Sequence, residues 1–164
     1  MPPSSNTLAL QRRPHGWLVA GAAALLMAGP AHADAAAELA RTQCAVCHGP
    51  RGESTNAQFP QLAGQNRQYI RKQLEDFREG RRRHEAMNGI AAALSEAQME
   101  LLGQYFQAQK PVAHPSEDTL LTGVGRYIYE RGNIYSKVPA CVSCHSASGQ
   151  GNARLPRLSG QHPQ

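Results

Sequence analysis

Two copies of one five-residue motif constrain this chain more than any other feature. Residues 44–48 read CAVCH and residues 141–145 read CVSCH, so each contains the pattern Cys-x-x-Cys-His. This pattern is the attachment signature of c-type haem: two thiols bind the haem vinyl groups covalently, and the adjacent histidine ligates the iron. Because the motif occurs twice, we predict two covalently attached haems c. The attachment and iron-binding residues are predicted to be Cys44, Cys47 and His48 in the first copy and Cys141, Cys144 and His145 in the second.

Zinc binding and disulfide formation are the competing interpretations of the four cysteines. Four cysteines in an exported chain ordinarily suggest two disulfides, and paired Cys-x-x-Cys segments also occur in zinc sites. The gap between Cys47 and Cys141 is much longer than the usual zinc-ribbon spacing, and zinc would leave both adjacent histidines unexplained. A thioredoxin-like redox pair needs a β-α-β context, which the sequence does not show. Haem attachment is therefore the favoured interpretation.

Residues 1–33 have the layout of a secretory signal peptide. An arginine pair precedes an apolar run over 17–29, and residues 31–33 (AHA) form a small-x-small cleavage site. The apolar run is shorter than the ~20 residues of a membrane-spanning helix, which disfavours a membrane anchor. We therefore predict export to the periplasm and cleavage after Ala33.

Charge and composition disfavour a nucleic-acid-binding protein. The chain has 17 Lys and Arg, 12 Asp and Glu, a net charge of +5, and only one Trp, five Tyr and three Phe. Nucleic-acid-binding surfaces usually have a stronger basic stripe with interleaved aromatic side chains. Loss of the leader's two arginines lowers the charge to +3, and the four propionates of two haems would bring it to −1. The basic cluster at 81–83 either balances a propionate, steers a partner or is a solvated helix end.

The chain contains an internal repeat. Residues 59–65 (FPQLAGQ) recur as residues 155–161 (LPRLSGQ), and Pro156 follows Pro60 by 96 positions. Such self-similarity indicates two copies of one structural unit. We predict a first domain over 34–110, a linker over 111–118 and a partial second domain over 119–164.

Helical patterns, without any sustained strand alternation, predict an all-α fold. Ile70, Leu74 and Phe77 recur at helical spacing, and Ser95 with Gln98 forms a capping box at the start of another helix. The predicted helices cover 35–43 with Asp34 as its cap, 69–79 ended by Gly80, the segment after Ser95, and 119–131.

Met87 is the predicted distal ligand of the first haem iron. A histidine-bound haem iron needs a second axial ligand to act as a low-spin electron carrier, and methionine in that position raises the reduction potential. Between the two motifs only Met87 and Met99 are available. Met87 is predicted to lie in a non-helical loop over 85–89, whereas Met99 falls inside a helix and is expected in the core. His84 is the alternative ligand.

The second haem has no clear distal ligand in this sequence. No methionine follows Cys141, and the repeat would place the counterpart of Met87 at about position 183. The later candidate, His162, aligns with Asn66 of the first copy. Two interpretations are open: the chain is a fragment or truncated product, or the iron at His145 is open. Truncation is favoured, because half a domain would leave apolar haem surface uncovered.

These features together resemble the dihaem cytochrome c4 family. The resemblance rests on the paired motifs, residues 59–65 and their echo at 155–161, the helix over 69–77 and Met87. It implies two tandem class I cytochrome c domains, all helical, the second incomplete here. It also implies that the carbonyl oxygens of Pro60 and Pro156 accept hydrogen bonds from the proximal histidines, which would fix the orientation of each imidazole.

The resemblance implies a periplasmic electron carrier rather than an enzyme. Members of the family relay electrons from quinol-oxidising complexes toward terminal oxidases, often in loose association with the inner membrane, so these complexes are the expected partners. One alternative is the cytochrome subunit of a flavocytochrome sulfide dehydrogenase. Another is a ligand-binding or peroxidase haem protein that uses an open iron at His145, although the sequence shows no peroxidase acid–base set.

Overall fold

The computed structural model describes residues 30–163 of the chain. Within this range the only pairing of extended backbone is an isolated antiparallel bridge between Asn133 and Val138. The same range contains seven α-helices, which are α1 Pro30–Gln43, α2 Ala45–His48, α3 Arg67–Arg78, α4 Glu85–Ala92, α5 Glu96–Gln107, α6 Thr119–Arg131 and α7 Val142–His145. The predicted all-α fold class is therefore confirmed.

The helix signals read from local sequence agree closely with α3, α5 and α6. α3 ends at Arg78, two residues before Gly80, whose φ of 72° lies in the left-handed region that stops a helix. At the start of α5, the hydroxyl of Ser95 accepts the Gln98 N–H and the Gln98 side chain accepts the Ser95 N–H. The Asp118 carboxylate caps α6 by accepting the Leu121 N–H at 2.8 Å.

α1 begins five residues earlier than predicted. It starts at Pro30, so Asp34 lies inside the helix and does not cap it. Proline is favoured in the first helical turn and alanine has the highest helix propensity, which explains the extension over 30–34. The rest of the predicted leader, residues 1–29, lies outside the described residues.

The prediction of a loop at 85–89 was wrong, because Met87 lies in α4. Asn88 stabilises the start of this helix: its side-chain oxygen accepts the His84 N–H at 2.7 Å, and its amide nitrogen donates to the carbonyls of Phe77 and Arg82. His84 is the N-cap, and its Nδ1 accepts the Met87 N–H at 3.4 Å. These contacts tie the first turn of α4 to the end of α3 and to the segment that precedes α4, so the low propensity of Asn88 and Gly89 does not decide the local structure.

The core lies where α1, α3 and α5 pack together. Met99 has no exposed surface, as expected for a core residue, and Gly103 on the same helix lets α5 approach α3 closely. A Cβ atom at Gly103 would lie 2.7 Å from the Arg67 carbonyl oxygen. The buried side chains of this core are Ala40, Ile70, Leu74, Leu94, Met99, Leu102 and Phe106.

The second copy buries much less of its apolar surface. α1 buries Ala36 and Ala40, and it packs against α5. α6 occupies the same place before the second motif, but it has no buried residue and Leu120 is 74% exposed. α6 contacts α7, and the Tyr129 hydroxyl donates to the Ser146 carbonyl at 2.6 Å. Between residues 30 and 163 no helix has both the length and the apolar character needed to cross a membrane.

Candidate functional site

The first motif folds as a single helical turn that brings its two cysteines and its histidine together. Cys44 is the N-cap of α2, and its carbonyl accepts the N–H groups of Cys47 at 3.3 Å and His48 at 2.9 Å. Gly49, with a φ of 78°, ends the turn. Both thiols and the imidazole are thereby presented by five consecutive residues, as covalent haem attachment requires.

A cavity of about 470 Å³ lies beside this turn. Cys44, Cys47, His48, Pro60 and Met87, all singled out from the sequence, contribute to its wall. Most of the remaining wall is apolar and includes Leu62, Ile70, Leu74, Phe77, Ile90, Leu94, Leu102 and Phe106. A large apolar cavity with two thiols and an imidazole at one wall suits a flat, hydrophobic haem bound through thioethers. The residues present therefore fit haem c.

The His48 side chain is held with one ring nitrogen already engaged. It is buried, and its Nδ1 donates to the Pro60 carbonyl oxygen at 2.9 Å. This bond fixes the tautomer and leaves Nε2 as the nitrogen for a metal. Burial lowers the pKa of His48, although the bond to Pro60 acts in the opposite direction. The neutral imidazole, which is the metal-binding form, is therefore favoured.

α4 brings both candidate distal ligands to the cavity wall. Met87 is half-buried and packs against the core cluster, and His84 also lines the cavity. His84 uses its Nδ1 to cap α4 by accepting the Met87 N–H, whereas no such structural role engages the thioether of Met87 in the described contacts. Met99 lies in the core and is not part of the wall.

The three arginines at 81–83 lie in two different environments, one at the end of α3 and the other at the cavity wall. Arg81 forms ion pairs with Asp76 and Glu79, so it is committed to the end of α3. Arg82 and Arg83 line the cavity, and the Arg82 guanidinium lies 4.6 Å from the centroid of the Phe77 ring. Their positive charges would attract the anionic groups of a haem bound in this cavity.

The second motif repeats the local geometry of the first. The Cys141 carbonyl accepts the His145 N–H at 2.9 Å, and the His145 Nδ1 donates to the Pro156 carbonyl oxygen, also at 2.9 Å. Cys144 is exposed and His145 is half-buried, so this site is more open than the first. His162 lies against His114, with their ring centroids 4.0 Å apart.

Residues of the second copy also form part of the first cavity, which sequence reasoning missed. Pro156, Arg157, Leu158 and Gln161 all line it. These residues lie about 100 positions from the first motif, so no local pattern connects them. The signal that was present is the repeat itself, since Gln65 and Gln161 end the two matching segments.

Comparison with known proteins adds independent evidence. The cytochrome c family profile matches residues 33–110. The chain is 39% identical over 150 residues to cytochrome c4 of Azotobacter vinelandii, a match that covers 83% of this chain and 71% of the relative. The crystal structure of reduced recombinant cytochrome c4 from Pseudomonas stutzeri is similar with a TM-score of 0.74 at 34% identity, covering 79% of this chain and 73% of that one.

Two other relatives have names that refer to the oxidation of sulfur compounds. The chain is 38% identical over 160 residues to a thiosulfate dehydrogenase electron acceptor of Stutzerimonas stutzeri, covering 90% of this chain and 74% of the relative. It is 32% identical over 69 residues to a cytochrome subunit of sulfide dehydrogenase from Chlorobaculum tepidum, covering 42% of this chain and 62% of the relative.

The fold, the motifs and the relatives agree with one another. The two cysteine pairs fit the attachment motif of covalently bound haem c, and the all-helical architecture matches the solved structures. The matches to these two relatives cover 83% and 90% of this chain, so they extend beyond the first copy of the repeat into the second. The chain belongs to the cytochrome c4 family.

Proposed function

We propose that this chain is a periplasmic dihaem carrier that takes electrons from a quinol-oxidising complex and passes them toward a terminal oxidase. The observation that carries the proposal is the first cavity, which combines a paired-thiol wall, an imidazole with a free Nε2 and a methionine within an apolar enclosure. The lining of this cavity offers two candidate iron ligands and an apolar enclosure.

In this proposal each residue of the first site has a defined role. Cys44 and Cys47 would attach the haem, His48 would bind the iron through Nε2, and Met87 would supply the second protein ligand. The haem supplies the one-electron redox chemistry when bound. The chain holds the side chains of His48 and Met87 in packed positions and excludes water with its apolar wall; ligation by methionine would raise the reduction potential. Cys141, Cys144 and His145 would hold the second haem through the same thiol and imidazole groups.

The proposal also covers domain organisation. Residues 34–110 form one cytochrome c domain, 111–118 a linker, and 119–164 part of a second domain. The family profile over 33–110 and the apolar core of α1, α3 and α5 support the first assignment. The repeated motif turn and the repeated histidine–proline bond support the second.

Carbon monoxide binding tests the distal ligand. Met87→Ala in the reduced holoprotein is expected to increase carbon monoxide binding by about one haem per chain, because the variant frees the sixth position of the first iron. The measurement is a titration of the reduced absorption spectrum. Met99→Leu is the control, since this swap in the core conserves volume and leaves the iron untouched. If His84→Ala opens the iron and Met87→Ala does not, histidine is the ligand.

Electron acceptance from a sulfur-compound dehydrogenase is a second candidate function. The relatives named as thiosulfate dehydrogenase electron acceptor and as sulfide dehydrogenase cytochrome subunit favour it. Both functions use the same haem site, so they differ in the partner alone. Reduction of the purified holoprotein by a thiosulfate dehydrogenase, compared with its reduction by a quinol-oxidising complex, discriminates between them. Stable co-purification with a flavoprotein would instead support the sulfide dehydrogenase arrangement.

A further inference from the structure

Two glutamine side chains cross between the copies of the repeat and clamp the backbone of the opposite copy. Gln161 accepts the Gln61 N–H at 3.0 Å and donates to the Gln61 carbonyl at 2.8 Å. Gln65 accepts the Arg157 N–H at 2.7 Å and donates to the Arg157 carbonyl at 3.0 Å. Gln161 follows Gln65 by 96 positions, as Arg157 follows Gln61. The same pair of hydrogen bonds is therefore made twice, once from each copy to the backbone of the other.

Each clamp acts on the peptide group that holds a proximal histidine. The peptide between Pro60 and Gln61 accepts a bond from His48 at its carbonyl oxygen and gives its N–H to Gln161. The peptide between Pro156 and Arg157 does the same for His145 and Gln65. One planar peptide group thus separates each histidine from a glutamine of the other copy.

Hydrogen bonds through a shared peptide polarise one another. An amide whose N–H is donated has a more negative carbonyl oxygen, so that oxygen is a stronger acceptor. A stronger acceptor at Nδ1 increases the basicity of a metal-bound imidazole, which stabilises the oxidised metal. Gln61 is 2% and Gln65 5% exposed, so the contacts are shielded from competing water.

We propose that Gln161 and Gln65 are positioning residues for the proximal histidine of the opposite copy, Gln161 for His48 and Gln65 for His145, and that each thereby lowers the reduction potential of the haem in the other copy. This inference rests on the proposed function in one respect, the assignment of His48 and His145 as iron ligands. It adds a redox coupling between the copies that is carried by the chain itself and needs no direct contact between haems.

The decisive variant is Gln65→Leu in the holoprotein with both haems attached. Gln65 belongs to the first copy and borders the first cavity, yet the proposal places its effect on the haem at His145. We expect the potential of that haem to rise, measured by spectroelectrochemistry, and the Nδ1 proton resonance of His145 to move upfield in the reduced protein. Gln161→Leu should produce the same two changes for the haem at His48.

Asn66→Ala is the matched control for loss of contact between the copies. The Asn66 amide donates to the carbonyls of Leu155 at 2.8 Å and Gln150 at 3.4 Å, and it touches neither of the two clamped peptide groups. Both potentials should stay unchanged in this variant. An equal shift in Asn66→Ala would overturn the inference, as would a Gln65→Leu variant that alters only the haem of its own copy.

A second pair of variants keeps the test valid if leucine prevents folding. Gln65→Glu and Gln161→Glu retain the acceptor oxygen for the backbone N–H but lose the donor to the backbone carbonyl. The stronger carboxylate acceptor should lower the potential of the opposite haem more than that of the haem in its own copy. An absence of any opposite-copy shift in these variants contradicts the inference. A different measurement reports failure of the proposed function. In that case the absorption spectrum of the unmodified protein would lack the bands of histidine-ligated c-type haem.

Discussion

Asp76 is a nearly buried carboxylate at the end of α3 whose charge is balanced by two cations. Its oxygens accept hydrogen bonds from Lys72 and, at 2.7 Å, from Arg81, and its side chain is only 10% exposed. These hydrogen bonds hold the pKa of Asp76 below its usual value, against the opposing effect of burial. The Asp76 carbonyl also accepts the Arg82 N–H at 2.9 Å, which helps to hold the chain that leads to Arg82 and Arg83 at the cavity.

Asp76→Asn should destabilise the protein at neutral pH by about 1–3 kcal/mol, since it removes charge-assisted hydrogen bonds from a shielded site. A lowered pKa means that the carboxylate contributes its stability above its unfolded pKa of about 4. The difference between wild type and variant should therefore shrink as the pH falls below about 4. Denaturant unfolding at several pH values measures this.

Glu75→Gln is the control for Asp76→Asn, because Glu75 pairs with Arg71 on the more exposed side of α3. Glu75→Gln is expected to lower the free energy of unfolding by less than about 1 kcal/mol. Equal costs for the two variants would contradict the special role of Asp76.

At the scale of elements, the close packing of α5 against α3 depends on Gly103, whereas the packing of α4 does not depend on Gly89. Gly103 lies where α5 crosses the start of α3, beneath the Arg67 carbonyl. Gly89 lies in the interior of α4 with open space around its Cα. α4 owes its position to side-chain contacts at its first turn, and α5 owes its position to this contact and to its apolar face.

Gly103→Ala and Gly89→Ala should therefore change stability in opposite directions. The first forces a methyl group toward a backbone oxygen at 2.7 Å and should cost about 1–3 kcal/mol. The second improves helix propensity without a clash and should stabilise by up to about 1 kcal/mol. Thermal unfolding of the two holoprotein variants checks both signs, and stabilisation by Gly103→Ala would show that α5 can shift away from α3.

At the scale of the whole molecule, burial is distributed unevenly between the two copies. The core cluster draws its residues from α1, α3, α5 and the segment before α5, whereas α6 buries none. Local unfolding free energies follow the number of buried apolar contacts around an element. The first copy is accordingly expected to be the more stable part of the described chain.

Hydrogen–deuterium exchange of the holoprotein should show this difference directly. Amides in α5, whose Met99, Leu102 and Phe106 are buried, should exchange slowly, and amides in α6 should exchange much faster. The measurement is mass spectrometry of peptides from each helix over time. Equal protection of α5 and α6 would mean that the second copy is stabilised by something other than its packing in this structure.

The accuracy of sequence reasoning depended on whether the deciding contacts were local. The start of α6 at Thr119 and the capping box of Ser95 and Gln98 are determined by residues within one helical turn, and both were predicted from the sequence. Helix α4 was missed because Asn88 is held by the carbonyls of Phe77 and Arg82. The clamps of Gln65 and Gln161 reach across about 90 to 100 positions, so only a three-dimensional structure reveals them.

The crossed clamps have a consequence for how such a chain can change over generations. In sequence the two copies of the repeat occupy separate stretches of the chain, which by itself would leave each copy free to vary. In space the wall of the first cavity includes Pro156, Arg157, Leu158 and Gln161. A substitution at one of these four positions changes the wall of the first cavity, so we expect the two copies to vary together rather than independently.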